Sequence, residues 1–112
     1  MSQMLGAFEQ AVLLAILRLR EDAYGRAILK VVQARLERDV PAGAVHATLE
    51  RLAKKGWVTA KWGQTDANQR ARFYRITPEG KRQLLREESR WTELVNAITQ
   101  VMKAAPTPGT QE

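Results

Sequence analysis

The feature that most constrains the fold is a change in the spacing of apolar residues near the middle of the chain. Before Gly56, apolar residues recur every three or four positions, as on one face of an α-helix. From Val58 to Trp62 they alternate with polar residues, which is typical of a half-buried β-strand. Alternation returns over residues 72–76, and helical spacing resumes after Pro78. The pattern predicts three helices, a two-stranded hairpin and a last helix.

Helix-breaking residues mark where these elements begin and end. Asp39-Val40-Pro41 ends the second helix, because a residue before proline avoids the helical region. Gly56 lies where a left-handed C-cap is expected, and Thr77-Pro78 is typical of a helix start. The predicted helices are residues 6–20, 24–38, 42–55 and 78–103, and the predicted strands are 58–62 and 72–76. This order predicts a winged helix-turn-helix fold, mainly α with a small β-hairpin (α+β) and a long C-terminal helix.

Charge and composition narrow the classes of function. The chain of 112 residues has room for one domain, and its net charge of +6 suits a polyanionic partner, although basic proteins also gain solubility in this way. The absence of cysteine excludes a disulfide framework and thiolate metal sites. The longest apolar run, residues 11–17, is far shorter than the roughly 20 residues that span a bilayer. We expect a cytoplasmic protein with no membrane partner.

The third predicted helix carries a candidate DNA-contact surface opposite its apolar stripe. Leu49 and Leu52 fall within about 40° of Val45 on a helical wheel. Small residues at the start of such a helix let its backbone approach base edges, and basic residues hold phosphates. We expect His46 and Thr48 to offer hydrogen bonds to bases; the alternative is a solvated basic face. The DNA-binding residues predicted on this helix are Gly43, Ala44, His46, Ala47, Thr48, Arg51, Lys54 and Lys55.

Arginines also cluster in the predicted hairpin. Arg70 lies at its tip, Arg72 and Arg75 lie on its return strand, and Lys61 lies on its outgoing strand. An arginine-rich loop beside a basic helix can straddle adjacent grooves, with the loop near the minor groove. We therefore add Arg70 and Arg72 to the predicted DNA-binding residues, and duplex DNA is the predicted partner.

The last predicted helix has a heptad-like apolar stripe that a small domain cannot fully bury. Its spacings are seven, four, three and four, with Glu88 as the one interruption. A partner helix would bury the remainder, and dimers are the commonest oligomers. We predict a homodimer through residues 81–103, with Trp91 at the interface; the alternative is that Trp91 belongs to the core. The stripe consists of Leu84, Trp91, Val95, Ile98 and Met102.

The sequence contains no recognisable catalytic set. Its only histidine, His46, has no Ser, Asp or Cys arranged as a triad or as a metal-ligand set. No glycine-rich phosphate loop is present. We expect a protein that is not an enzyme, with no cofactor, no catalytic residues and no metal site.

Several stretches together resemble the PadR family of transcriptional regulators. Residues 5–10 are similar to the opening of one PadR-like branch, and Ala23-Tyr24-Gly25 matches the start of the family's second helix. Residues 43–52, closed by Gly56, are similar to its recognition-helix motif. Residues 70–80 resemble its wing strand and the Thr-x-x-Gly that starts the last helix. The resemblance covers residues 5–103.

The resemblance implies a dimeric repressor whose dimer is built from the first and last helices. In some members, planar aromatic effectors bind between the two last helices against a tryptophan. Trp91 lies where that tryptophan is expected, so the resemblance assigns Trp91 and Val95 to a site for a small aromatic or hydrophobic effector. His46 stands where the family usually has tyrosine, and Asn68-Gln69 where it usually has a glycine pair. These departures concern the operator sequence more than the fold.

Three functions therefore compete. A sequence-specific DNA-binding regulator is favoured over a winged-helix module for protein–protein interaction, because both the helix and the hairpin are basic. A binder of structured RNA is third, because no sheet exposes stacking aromatic residues. The predicted organisation is a DNA-binding domain over residues 1–80, a dimerisation helix over 81–103 and a disordered tail over 104–112.

Overall fold

The computed structural model describes residues 6–104 and has the predicted order of elements. A 3-10 turn, Arg20–Asp22, follows the first helix, and the two strands form one antiparallel hairpin. The fold class is confirmed as mainly helical with a small sheet. The last helix includes Ala104, and the rest of the predicted tail lies outside the described residues. The elements are α1 (Ala7–Leu19), α2 (Gly25–Leu36), α3 (Ala42–Lys54), β1 (Val58–Gln64), β2 (Arg70–Ile76) and α4 (Pro78–Ala104).

Helix α1 is the centre of the core, because α2, α3 and β2 all pack against it. It buries five residues within less than two turns, and three of these are alanine or valine, which permit close approach of the neighbouring helices. Each fully buried Leu or Ile contributes about 1.5–3 kcal/mol from the loss of water contact. The largest fully buried side chains are Leu13, Ile28, Leu49 and Leu52.

The connection between α2 and α3 is a tight turn that sets the angle between them. Helix α2 ends at a left-handed residue, Glu37 (φ 55°), earlier than the sequence predicts. The side-chain amide of Gln33 donates a hydrogen bond to the carbonyl of Val40 at 3.0 Å. Pro41 then begins α3 as its N-cap residue in an extended conformation. The first turn of α3 is therefore fixed at the surface beside α2.

A second junction ties the end of α3 to the start of α4. Gly56 has a left-handed backbone (φ 79°), as predicted. The hydroxyl of Thr77 donates to the Gly56 carbonyl at 2.7 Å and accepts from the Gly80 amide at 3.0 Å, so it caps α4 as predicted. A Cβ on Gly80 would lie 2.2 Å from the carbonyl oxygen of Trp57. Only glycine allows α4 to pack this closely against the chain after α3.

The hairpin is longer than predicted and projects beyond the core. Strand β1 continues to Gln64 and β2 begins at Arg70, so the loop is shorter than the predicted residues 63–71. The added pairs, Gly63 with Ala71 and Gln64 with Arg70, lie where neither face is buried in the core. Because the core covers neither face of these pairs, the sequence there shows no alternation of apolar and polar residues.

Helix α4 contacts the rest of the chain only near its beginning. Gln83 and Leu84 are buried, but every side chain from Glu88 to Lys103 is exposed. Hydrogen bonds from Arg82 and Gln83 lower the pKa of Glu79 in its first turn. Within residues 6–104, no helix combines the length and apolar character needed to cross a membrane.

Candidate nucleic-acid interface

Helix α3 exposes small residues and one imidazole near its N-terminus. Gly43, His46 and Ala47 are exposed, and Ala44 is half-buried. No atom lies within 4 Å of the position that a Cβ on Gly43 would take. The opposite side of the helix packs into the core. The structure thus brings these four predicted DNA-binding residues to one open end of the helix.

The predicted role of Thr48 in contacting bases is wrong, because its side chain belongs to the core. Thr48 is only 1% exposed, and its hydroxyl accepts a hydrogen bond from Nη2 of Arg51 at 3.0 Å. On the helical wheel it lies about 60° from Val45, on the buried side. Its hydroxyl group made it a candidate, but the helical angle directs it inward. Thr48 therefore orients Arg51.

Two of the predicted α3 cations face α1. The Oε2 atom of Glu9 lies 3.8 Å from Nε of Arg51 and 3.7 Å from Nζ of Lys55. Lys55 also lies 4.7 Å from the centre of the Trp57 ring. Lys54 is exposed and has no ion pair within residues 6–104. Of the three cations, Lys54 has the least compensated charge.

A carboxylate missed by sequence reasoning links α3 to the hairpin. The Oε2 atom of Glu50 lies 3.4 Å from Nε2 of His46 and 4.0 Å from Nη1 of Arg72. The spacing of His46 and Glu50, one helical turn apart, is the signal that could have predicted the first contact. Glu50 fixes the position of Arg72 beside the exposed end of α3.

Trp62 is a second residue that sequence reasoning missed as a site residue. The alternation in β1 predicts that it is half-buried, but it is 57% exposed. The expectation that no sheet exposes a stacking aromatic residue is therefore wrong. It pairs with Arg72 across the hairpin. The guanidinium of Arg70 lies 4.4 Å from its ring centre and that of Arg72 lies 5.9 Å away. Both predicted hairpin cations therefore contact one indole.

A cleft of about 390 Å³ separates α3 from the hairpin. Its floor includes Val45, Leu49 and Tyr74, which are buried core residues. Its walls include His46 from α3 and Trp62 from β1. Of the predicted DNA-binding residues, only His46 of α3 and Arg72 of β2 line this opening.

A separate apolar surface runs along α4. Trp91 is 64% exposed and Val95 is 40% exposed, so neither belongs to the core of this chain. Where α4 leaves the core, a groove of about 620 Å³ lies between α1 and α4, lined by Leu14, Leu17 and Trp91 among others. Contiguous exposed apolar surface of this kind marks an interaction site. The exposed large apolar residues of α4 are Leu85, Trp91, Leu94, Val95, Ile98, Val101 and Met102.

Metal ligation has no support in the part of the chain that the structure describes. No group of three or more His, Asp or Glu side chains there is arranged to hold a metal ion. The chemistry available at the α3–hairpin cleft is that of hydrogen bonds, cationic contacts and stacking on an indole.

Comparison with solved structures gives relatives of the same fold. A PadR family transcriptional regulator from Eggerthella lenta DSM 2243 is 28% identical, with a TM-score of 0.64 over 84% of this chain and 82% of that one. A PadR-like transcriptional regulator from Bacillus cereus ATCC 14579 is 22% identical, with a TM-score of 0.74 over 93% and 100%. A PadR family regulator from Clostridium difficile R20291 is 22% identical, with a TM-score of 0.70 over 87% and 99%. The last two show the fold alone.

The family match covers most of the residues that the structure describes. None of the curated proteins compared with this chain matches it. The family model described as "Transcriptional regulator PadR-like family" matches residues 13–86, which include α2, α3 and the whole hairpin. That match extends over well more than half of the sequence, and it agrees with the fold of the solved structures. The chain belongs to the PadR-like family of transcriptional regulators.

Proposed function

We propose that this protein is a dimeric, sequence-specific DNA-binding repressor that reads duplex DNA with α3 and the hairpin. The observation that carries this proposal is the common opening between the two elements, which is lined by His46 of α3 and Arg72 of the hairpin and lies beside the exposed small residues at the start of α3. An α-helix about 10–12 Å wide fits the major groove of B-DNA, which is about 12 Å wide. The family membership supports the same function.

The residues at this surface divide into two roles. The small side chains of Gly43, Ala44 and Ala47 allow the α3 backbone to approach the base edges, where His46 can hydrogen-bond to a base. The cations bind phosphates and fix the register of the protein on the duplex. These are Arg51, Lys54 and Lys55 on α3, and Arg70 and Arg72 on the hairpin.

The dimer would form through α4 and α1. The exposed apolar residues of α4 and the groove beside α1 support this proposal, because a second copy of α4 would bury both. A two-fold dimer presents two recognition helices to half-sites about 34 Å apart, one turn of DNA. The proposal that the protein represses transcription rests on its resemblance to the PadR family.

An effector would act on the spacing between the two recognition helices. A planar aromatic ligand between the two copies of Trp91, beside Val95, would separate the last helices and change that spacing. A ligand shifts this equilibrium only through its different affinity for the two states, so ligand binding and DNA release must be coupled. In a background that lacks Trp57 and Trp62, emission that such a compound quenches when Trp91 is present, but not in Trp91→Leu, would support the site. Quenching that persists in the variant would contradict it.

Fluorescence anisotropy with labelled nucleic acids tests the proposed function. Random duplex, single-stranded DNA and structured RNA are titrated at several salt concentrations. Because phosphate contacts release counterions, we expect duplex affinity to fall linearly with salt on logarithmic axes. A duplex from upstream of the protein's own gene should bind more tightly than random duplex. No binding to any duplex at low salt, with the dimer intact, would contradict DNA recognition and favour a protein-interaction module.

A further inference from the structure

The exposed indole of Trp62 is not explained by folding. Its side chain lies beyond the core on β1 and is 57% exposed, whereas Trp57 nearby is buried. Its ring contacts within the described chain are the guanidinium groups of Arg70 and Arg72. A large exposed aromatic residue within cation–π distance of two guanidinium groups is a contact surface for a partner with both apolar and anionic parts.

The register of the hairpin directs this cluster toward α3. Trp62 pairs with Arg72, and Ala60 pairs with Tyr74. Because successive residues in a strand alternate between faces, Trp62, Arg72 and Tyr74 share one face of the hairpin. Tyr74 is buried and lines the cleft beside α3. Trp62 therefore forms the outer part of the cleft wall that faces α3.

The charge of the cleft wall favours an anionic chain. Two arginines lie on the Trp62 ring, and a third, Arg26, lines the cleft from α2. The carboxylate of Glu50 already contacts His46 and Arg72. Arg70 and Arg72 are two residues apart on one strand, so their backbones are separated by about 7 Å. That separation is similar to the separation of successive phosphates along one DNA strand.

This inference rests on the proposed function. With α3 in a major groove and the hairpin loop near the next minor groove, the sugar–phosphate strand between the two grooves must cross the α3–hairpin cleft. That strand alternates deoxyribose, which has apolar faces, with anionic phosphate. We propose that Trp62 packs its indole against a deoxyribose of the crossing strand, while Arg70 and Arg72, held on its ring, bind the flanking phosphates.

The test is DNA affinity and its salt dependence in the full-length protein. Trp62→Leu should weaken binding to operator and random duplex alike by about tenfold, because leucine buries less apolar area against the sugar than the indole does. Its salt slope should be unchanged, because the indole carries no charge. Arg70→Gln should flatten the slope by about 0.9, as the loss of one phosphate contact does. Trp62→Phe, which retains an aromatic ring, should lose less affinity than Trp62→Leu.

Controls separate this proposal from its alternatives. Thr59→Ala changes an exposed residue on the other face of β1 and should leave affinity unchanged. Thermal unfolding of Trp62→Leu should match the unaltered protein. If Trp62→Leu flattens the salt slope as much as Arg70→Gln does, the indole only positions the arginines. That result would overturn the sugar contact. Equal affinity of Trp62→Leu and the unaltered protein would also overturn it. If the unaltered protein binds no duplex, the proposed function fails as well.

Discussion

Gly43 and Gly80 both lie in the first turn of a helix, but their surroundings differ. A Cβ on Gly80 would lie 2.2 Å from the carbonyl oxygen of Trp57, whereas a Cβ on Gly43 meets no atom within 4 Å. Gly80→Ala should therefore lower the free energy of unfolding by about 1–3 kcal/mol through overpacking. Gly43→Ala should raise it by about 0.4–1 kcal/mol, because the unfolded chain loses entropy. Urea unfolding measures both.

The same Gly43→Ala variant separates stability from DNA binding. If the start of α3 lies against base edges, the added methyl group should weaken DNA affinity although the protein becomes more stable. Unchanged affinity in a stabilised variant would show that this end of α3 does not approach DNA.

His46 and Thr48 form a matched pair of polar α3 residues, one exposed and one buried. Thr48→Val removes the hydrogen bond from Arg51 and should change the free energy of unfolding by about 1 kcal/mol or less. It should leave the ratio of operator to random-duplex affinity unchanged. His46→Ala should lower that ratio, because it would remove the proposed contact with a base. Anisotropy on both duplexes measures the ratio, and a larger change in Thr48→Val than in His46→Ala would reverse these roles.

The sequence predicts the conformation of single residues correctly where a residue type strongly favours one local structure. Gly56 as a left-handed residue and Thr77 as a helix cap are of this kind. It fails where the outcome depends on tertiary packing. The pairing of Glu9 with Arg51 and Lys55 requires α1 and α3 to be neighbours. The local sequence does not show which helices pack against each other.

At the scale of elements, α3 carries cations in two different environments. Lys54→Ala should flatten the slope of log affinity against log salt by about 0.9, with similar loss on all duplexes. Arg51→Ala should flatten it less, because Glu9 already compensates part of that charge. Lys81→Ala removes the same charge at an exposed position on α4 and serves as the control. Equal slopes for all three variants would contradict a phosphate contact by Lys54.

The hairpin shows how far element boundaries follow from the sequence. The alternation in residues 58–62 marks the half of β1 that begins in the core, and its existence and pairing are predicted correctly. The outer half has both faces in solvent, so hydrophobic periodicity contains no signal for it. Trp62 is the last residue of the predicted strand and lies where the hairpin leaves the core, so the alternation that includes it does not predict its exposure.

At the scale of the whole molecule, α4 provides the proposed connection between two DNA-binding surfaces. Val95→Glu combined with Ile98→Glu places two carboxylates in its exposed apolar stripe. This double variant should be a monomer at micromolar concentration and should unfold more easily, because a desolvated carboxylate is costly at an interface. Sedimentation velocity measures the change.

A control on the other side of α4 tests the choice of face. Asn96 and Gln100 lie about 140° and 180° from Trp91 on the helical wheel. Asn96→Glu combined with Gln100→Glu adds the same charge and should leave the dimer intact. Two results would contradict a dimer through this stripe. One is an unaltered protein that sediments as a monomer, and the other is a control variant whose dimer dissociates as much as that of the Val95 and Ile98 variant.

The assembly is the level at which one sequence contains least information. The spacing of apolar residues in α4 predicts that a partner is needed, but it does not fix the angle between two copies of the helix. That angle determines the distance between the two α3 helices, and with it the spacing of half-sites. The identity of the operator depends in addition on individual side chains such as His46.

Hydroxyl-radical footprinting on the DNA upstream of the protein's own gene tests the central claim most directly, because it reports DNA binding and dimeric geometry together. A two-fold dimer should give two protected patches on one face of the duplex, centred about 10 base pairs apart or at a multiple of that distance. Both patches should be lost together in the Val95→Glu and Ile98→Glu variant. A single patch, or uniform cleavage at protein concentrations that saturate the dimer, would contradict it.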